Sequence, residues 1–341
     1  MELHFDRRRF ITKMSGASLL TTLLKPVNGI ALPPQRSRPL QSSINGPMGI
    51  LASADRLIVS EYVGGRLIEI DLKSNWLQAL CGDPQSICPR LQRLKYPRTV
   101  ASTKAGEFYV VERGGILCIE PDRCTARYVV QTDVRAAPQL RPVAAVVDGK
   151  GAVYWTDGAN RLFQSVGGRD TLLLDSNAGL KSPKSLAVMP DGDLVIAGSL
   201  NHRVYRFAVA SRKLDVIAGT GAFLSNGDGG PAVRADLRMP MTVTVDAKGN
   251  VFVAEHSRVR MIRATDSTIL TIAGGGREKS SSNDGIAIHS TVGTPFGLAV
   301  VGSQLYITDS SSNVIRAVNL GSGTIKTIAG NGLPHRPTTL K

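Results

Sequence analysis

The stretch Pro240 to Gly274 constrains the fold more than any other part of the chain. An alternating run, Met241 to Val245, leads into a turn at Asp246-Ala247-Lys248-Gly249-Asn250. A second β-rich run, Val251 to Ala254, ends on Glu255; Arg258 to Arg263 follow, then a polar turn at Thr265 to Ser267, then Ile269 to Gly274. Alternation with a period of two, cut by Gly, Asp and Asn clusters, predicts a four-stranded antiparallel sheet. A sheet that small cannot bury both faces alone, so copies of it must stack.

The copies are present. Each opens with a proline, at Pro47, Pro97, Pro142, Pro183, Pro240 and Pro295, 41 to 57 residues apart. Second runs end near an acid at Glu61, Glu112, Asp157, Glu255 and Asp309, while the fourth copy has Gly198-Ser199 there. Third runs follow at Arg66, Ile116, Arg161, Arg203, Arg258 and Val314, and closing strands are clearest at Val216–Gly219, Ile269–Gly274 and Ile325–Gly330. Six four-stranded repeats of about 40 to 55 residues predict an all-β chain, a six-bladed β-propeller of antiparallel blades. Sparse aromatics, 35 glycines and 18 prolines suit so turn-rich a fold.

The run Ala197-Gly198-Ser199-Leu200-Asn201-His202-Arg203-Val204 resembles the NHL repeat, as do Asp309-Ser310 and the recurring Ile-Ala-Gly endings. Asn226 to Ala232 and Leu237 to Pro240 are similar to bacterial NHL proteins, and Tyr154-Trp155-Thr156-Asp157 matches the signature of a related six-bladed family. The resemblance spans residues 46–331 and implies the same propeller. It carries little function, because this scaffold hosts lyases, hydrolases and binding modules alike.

The N-terminus resembles a twin-arginine export signal. Asp6-Arg7-Arg8-Arg9-Phe10-Ile11 precedes an apolar run from Met14 to Leu24, and Gly29 and Ala31 suit cleavage after Ala31. That run is too short to span a membrane. Residues 1–31 are therefore expected to be a signal, 32–45 a linker or arm, and 332–341 a tail, giving an exported, monomeric protein in the periplasm or outside the cell. The net charge is +14, and the chain after residue 31 still carries +11. Such an excess favours anionic partners; export argues against nucleic acid among them.

Strand direction in a propeller blade places the start of the first strand, the end of the second and the long crossings between blades on one face. Loops elaborated on one face of a rigid scaffold are the expected binding surface. Around the channel mouth the positions after the opening prolines give Met48, Arg98, Val143, Lys184, Met241 and Phe296. The positions after the second strands include Tyr62, Arg113, His256 and Ser310. An apolar ring with cations at Arg98, Lys184 and Arg113 suits a ligand that carries an anion and an apolar part. No cofactor is evident. A divalent metal, if one binds, would draw on His256, Glu255 and His289, although acids in these positions are expected to accept backbone N–H groups of the turn that follows them. The four cysteines form two close pairs, Cys81 with Cys88 and Cys118 with Cys124, and three pairings are formally possible. In an exported protein two local disulfides are expected.

These features frame two functions. One is an exported binding or scaffold module for a protein, a peptide or an anionic cell-envelope ligand, taken on the looped face. The other follows from the resemblance to NHL-type lyases and to lactonases on similar scaffolds: a metal-assisted lyase or lactone hydrolase at the channel mouth, with His256, Glu255, Arg98 and Lys184 as its machinery. The chain shows neither a nucleophile elbow nor a glycine-rich phosphate loop, and the residues leave open whether it is an enzyme.

Overall fold

A computed structural model describes residues 36–333 apart from 89–90, 92, 121–123, 133–134, 136–137 and 277–283. Residues 1–31, expected from sequence to be an export signal, lie outside it. The described chain folds as six blades of four antiparallel strands, here a to d from the channel outward. Blade one is Pro47–Ala52, Arg56–Glu61, Arg66–Asp71 and Trp76–Cys81; blade two is Val100–Ser102, Phe108–Glu112, Gly115–Ile119 and Ala126–Gln131. Blade three runs from Pro142–Val147 to Arg169–Leu174 and blade four from Pro183–Val188 to Lys213–Ala218. Blade five runs from Thr242–Val245 to Ile269–Gly274 and blade six from Pro295–Val301 to Thr324–Ala329. No described helix is long and apolar enough to cross a membrane.

The alternation seen in the sequence becomes the core. Six buried clusters lie one at each blade interface, so every blade is apolar on both faces. Trp155 stacks on Phe163 at 4.2 Å between blades two and three. In four blades the opening proline pairs directly with the last residue of strand b, and a bulge follows it: Pro47 with Glu61, Pro142 with Asp157, Pro183 with Gly198, Pro295 with Asp309. A residue without an N–H is tolerated there because the strand begins at it.

Residues 36–45 are not a free linker. Arg36–Ser37 pairs with strand d of blade one, and the 3-10 turn Pro39–Gln41 packs on strand d of blade six. The crossing from blade five to blade six does the same: Gly285–Ile286 pairs with strand d of blade six, and Ala287–His289 packs on strand d of blade five. Pro39-Leu40-Gln41-Ser42-Ser43-Ile44 aligns with Ala232-Val233-Arg234-Ala235-Asp236-Leu237 and with Ala287-Ile288-His289-Ser290-Thr291-Val292, each three residues before an opening proline. Ile44, Leu237 and Val292 are fully buried. The arm therefore supplies the crossing that a circular chain would have between blades six and one.

The cysteines correct the sequence-based pairing. The disulfide joins Cys88 to Cys124, while Cys81 and Cys118 are buried free thiols. Period-two alternation is the reason for the second pair's failure: Ile119 packs with Cys88 in the interface of blades one and two, whereas its neighbour Cys118 faces blades two and three. The bond ties the crossing after blade one to the outer hairpin of blade two across 36 residues. Burial pushes the Cys81 thiol up to about 12, which keeps it protonated.

The arm makes a direct prediction. Ile44→Ala should cost about 2–5 kcal/mol, as for a fully buried aliphatic in a core, measured by urea denaturation of the chain from residue 32 onward. A loss below 1 kcal/mol would mean that ring closure does not depend on the arm.

Candidate functional site

The looped face is held to the blades by one recurring pair of bonds. In blade one Glu61 accepts the N–H of Asn45; in blade two Glu112 accepts that of Lys95; in blade five Glu255 accepts that of Arg238; in blade six Asp309 accepts that of Gly293. Each donor lies two residues before the opening proline. Blade four lacks the acid, and the Asn201 amide oxygen accepts the equivalent Lys181 N–H at 2.6 Å. Only Asp157 bonds mainly within its own turn, to the N–H groups of Ala159 and Arg161. A buried arginine adds the second bond: Arg66, Arg260 and Arg316 donate to the carbonyls of Ser43, Asp236 and Thr291, each four residues before a proline. The acids are thus structural, but they cap the crossings more than the turns expected from sequence.

These bonds set out the channel mouth. Ser60 Oγ donates to the Arg98 carbonyl at 2.5 Å and Thr308 Oγ1 to the Met48 carbonyl at 2.8 Å, so blades one and six each fix the opening of the next. Gly49 and Gly297 allow those carbonyls their approach, since a Cβ at either would collide with them. A cavity of about 510 Å³ results, lined by Gly46, Met48, Gly49, Tyr62, Val63, Arg98, Thr99, Val143, Lys184, Met241, Phe296 and Ser310. It opens above the channel formed by the six a strands.

Six of the seven residues named for ligand contact therefore meet in one cavity: Met48, Tyr62, Arg98, Lys184, Met241 and Phe296. Arg113 does not join them; its side chain is exposed and outside the lining. The backbone explains the difference. The Tyr62 and Ser310 N–H groups bond the carbonyl one residue before the opening proline, whereas Arg113 and His256 bond the one two residues before it. That slip of one residue accompanies the change from a cavity-facing to an exposed side chain. Sequence reasoning missed Val63 and Tyr96, which extend the cavity wall as an exposed apolar ledge. Tyr96 lies 5.2 Å from Tyr62, and Arg98 sits over the Tyr62 ring at 5.5 Å. Across the mouth a second ledge is formed by exposed Leu200, Phe223 and Leu224, with Arg238 over Phe223 at 4.8 Å. Ser199 Oγ lies 3.6 Å from Met241 Sδ, joining this ledge to the cavity.

The charges of the cavity are one-sided. Among the described residues no Asp, Glu or His lines it. Lys184 is half-buried, and burial pushes its pKa down, with the nearby Arg98 and Arg141 guanidiniums pushing it further.

The residues named for a metal do not assemble. The Glu255 carboxylate is fully buried, held by Ser225 Oγ at 2.6 Å and the Arg238 N–H at 2.6 Å, with Arg260 at 3.6 Å. Burial raises its pKa, and those three partners lower it in part. The His256 and His289 side chains are exposed. Among the described residues the grouping with metal-ligand spacing is Glu107, Cys118 and Glu120 on blade two, away from the mouth; Arg127 lies 3.2 Å from Glu120 and 4.0 Å from Glu107, offsetting their charge.

No protein-family model and no curated protein matches the sequence. Solved structures do match in fold. An auxiliary nutrient binding protein from Bacteroides thetaiotaomicron shares 13% identity at a TM-score of 0.64, over 84% of this chain and 70% of that one. A gluconolactonase from Xanthomonas campestris shares 17% identity at 0.56, over 87% and 95%. Virginiamycin B lyase from Staphylococcus aureus, solved with quinupristin, shares 14% at 0.55, over 87% and 88%. At these identities the likeness is one of fold.

The staple can be tested apart from any ligand. Glu255→Ala should destabilise the protein by about 3 kcal/mol, because it strips a buried arginine of a partner. His256→Ala should stay within about 0.5 kcal/mol of the parent, as an exposed side chain does. Guanidinium titrations of both variants check this; equal effects would contradict the assignment.

Proposed function

We propose that the protein is an exported binding propeller whose mouth takes a ligand with an anionic head and an apolar body, such as a carboxylate-bearing peptide or cell-envelope component. One observation carries this reading: Arg98 and Lys184 face a largely apolar cavity, and among the described residues no acid lines it and neither side chain forms an ion pair. Two unpaired cations in a half-enclosed site are costly to keep unless an anion meets them. Met48, Val143, Met241 and Phe296 offer the apolar wall, and the two ledges give a longer ligand room to extend. The Cys88–Cys124 bond and the arginine-led N-terminal pattern support an oxidising destination. The binding function of one fold neighbour is consistent with the reading.

A metal-assisted lyase or lactone hydrolase is the second reading, favoured by the fold it shares with proteins of those activities. Such chemistry needs carboxylate or imidazole ligands at the mouth. The lining residues do not provide them.

Calorimetry of the mature chain with 4-phenylbutanoate tests the proposal. Binding should weaken about ten-fold or more for 4-phenylbutan-1-ol, and likewise in Arg98→Ala, the loss expected of a charge-assisted hydrogen bond. Because the Lys184 pKa is lowered, its charge is present below that pKa and lost above it. Affinity should therefore fall at a lower pH than an ordinary lysine would give, and Lys184→Arg should abolish the fall. Equal binding of acid and alcohol would contradict the proposal.

A further inference from the structure

We infer that Lys184 is a nucleophilic amine, able to condense reversibly with the carbonyl carbon of a 2-oxo acid whose carboxylate is seated by Arg98. This rests on the reading of the mouth as an anion seat and adds a covalent activity to it.

Three features of the site combine. First, Lys184 stands half-buried in the wall of a cavity of about 510 Å³ with Met241 and Phe296 among the lining. Second, among the described residues no carboxylate lines the cavity and no hydrogen bond or ion pair to Nζ holds its ammonium in the charged form. Lys73 shows the contrast, since it is exposed, pairs with Asp55 at 2.8 Å and has its pKa raised by that partner. Third, a guanidinium that cannot lose its charge faces the same space, so a carboxylate can be seated without protonating the amine. An amine desolvated in an apolar pocket beside a second cation is the arrangement that makes lysine a nucleophile near neutral pH, and the lowered pKa of Lys184 agrees with it.

The step balances without a redox partner. The neutral Nζ attacks the carbonyl carbon and forms a C–N bond, giving a carbinolamine. The carbonyl oxygen then departs as water with the two hydrogens of the amine, leaving a C=N bond that solvent can protonate. Water reverses each step. Arg98 positions the ligand, and the apolar wall limits competing water.

Reductive trapping tests it. The mature chain is incubated with 2-oxo-4-phenylbutanoate and sodium cyanoborohydride, and modified lysines are mapped by peptide mass spectrometry. Lys184 should be modified in preference to every other lysine, and Lys184→Arg should lose that modification while keeping the circular dichroism of the folded parent. With 4-phenylbutan-2-one as the uncharged comparison, Arg98→Ala should lower the ratio of oxo-acid to ketone trapping by about ten-fold or more; because it is a ratio, it does not depend on how much of the variant folds. Labelling spread evenly over surface lysines overturns the inference. So does an unlabelled Lys184 in a protein that binds 4-phenylbutanoate, an outcome that leaves the anion seat standing. Failure of both binding and trapping removes both.

Discussion

The structure depends on a buried carboxylate at the end of strand b that accepts an N–H from the crossing leading into its own blade. That bond ties the crossing to strand b just before strand a begins in four of the six blades. Blades one, two, five and six make it with Glu61, Glu112, Glu255 and Asp309. Blade four makes it with Asn201, which needs no counter-charge. Burying an acid is expensive unless its lone pairs are met, and each has further partners: Arg66 for Glu61, Tyr128 for Glu112, Ser225 and Arg260 for Glu255. Residues that look like a ring of metal ligands in sequence are therefore engaged in holding loops.

Closure follows from the same device. Residues 36–45 carry the crossing pattern, with Ile44 in the slot of Leu237 and Val292, the Asn45 N–H on Glu61 and the Ser43 carbonyl on Arg66. A propeller must join its last blade to its first against the entropy of a long chain. Here the junction is an ordinary crossing whose two ends are on different parts of the chain, so blades one and six meet as any other neighbours do, around a shared apolar cluster.

The blades were legible in the sequence because period-two alternation and a recurring proline are local signals, repeated six times. The mouth was legible because position along a strand fixes the face: Met48, Arg98, Lys184, Met241 and Phe296 all follow an opening proline, and all line the cavity. What failed depended on geometry between elements. Arg113 and His256 sit where Tyr62 sits in the repeat, but a hydrogen bond shifted by one residue accompanies their exposure. Cys118 and Cys124 are close in sequence but belong to opposite faces of a blade, and Cys88 is brought to Cys124 only by the packing of a crossing on its neighbour. Composition leaves residues 32–45 as a linker or an arm, and only the match of 39–44 to the two later crossings tells the two apart.

The mouth thus gathers two cations and an apolar wall, while Glu61, Glu112, Glu255 and Asp309 are engaged by the crossings. The anion seat is tested most directly by a crystal structure of the chain from residue 32 onward with 4-phenylbutanoate. The account predicts the carboxylate within hydrogen-bonding distance of Arg98 and Lys184 and the phenyl ring against Met241 or Phe296. A carboxylate bound away from both cations, with the cavity filled by solvent, would contradict it.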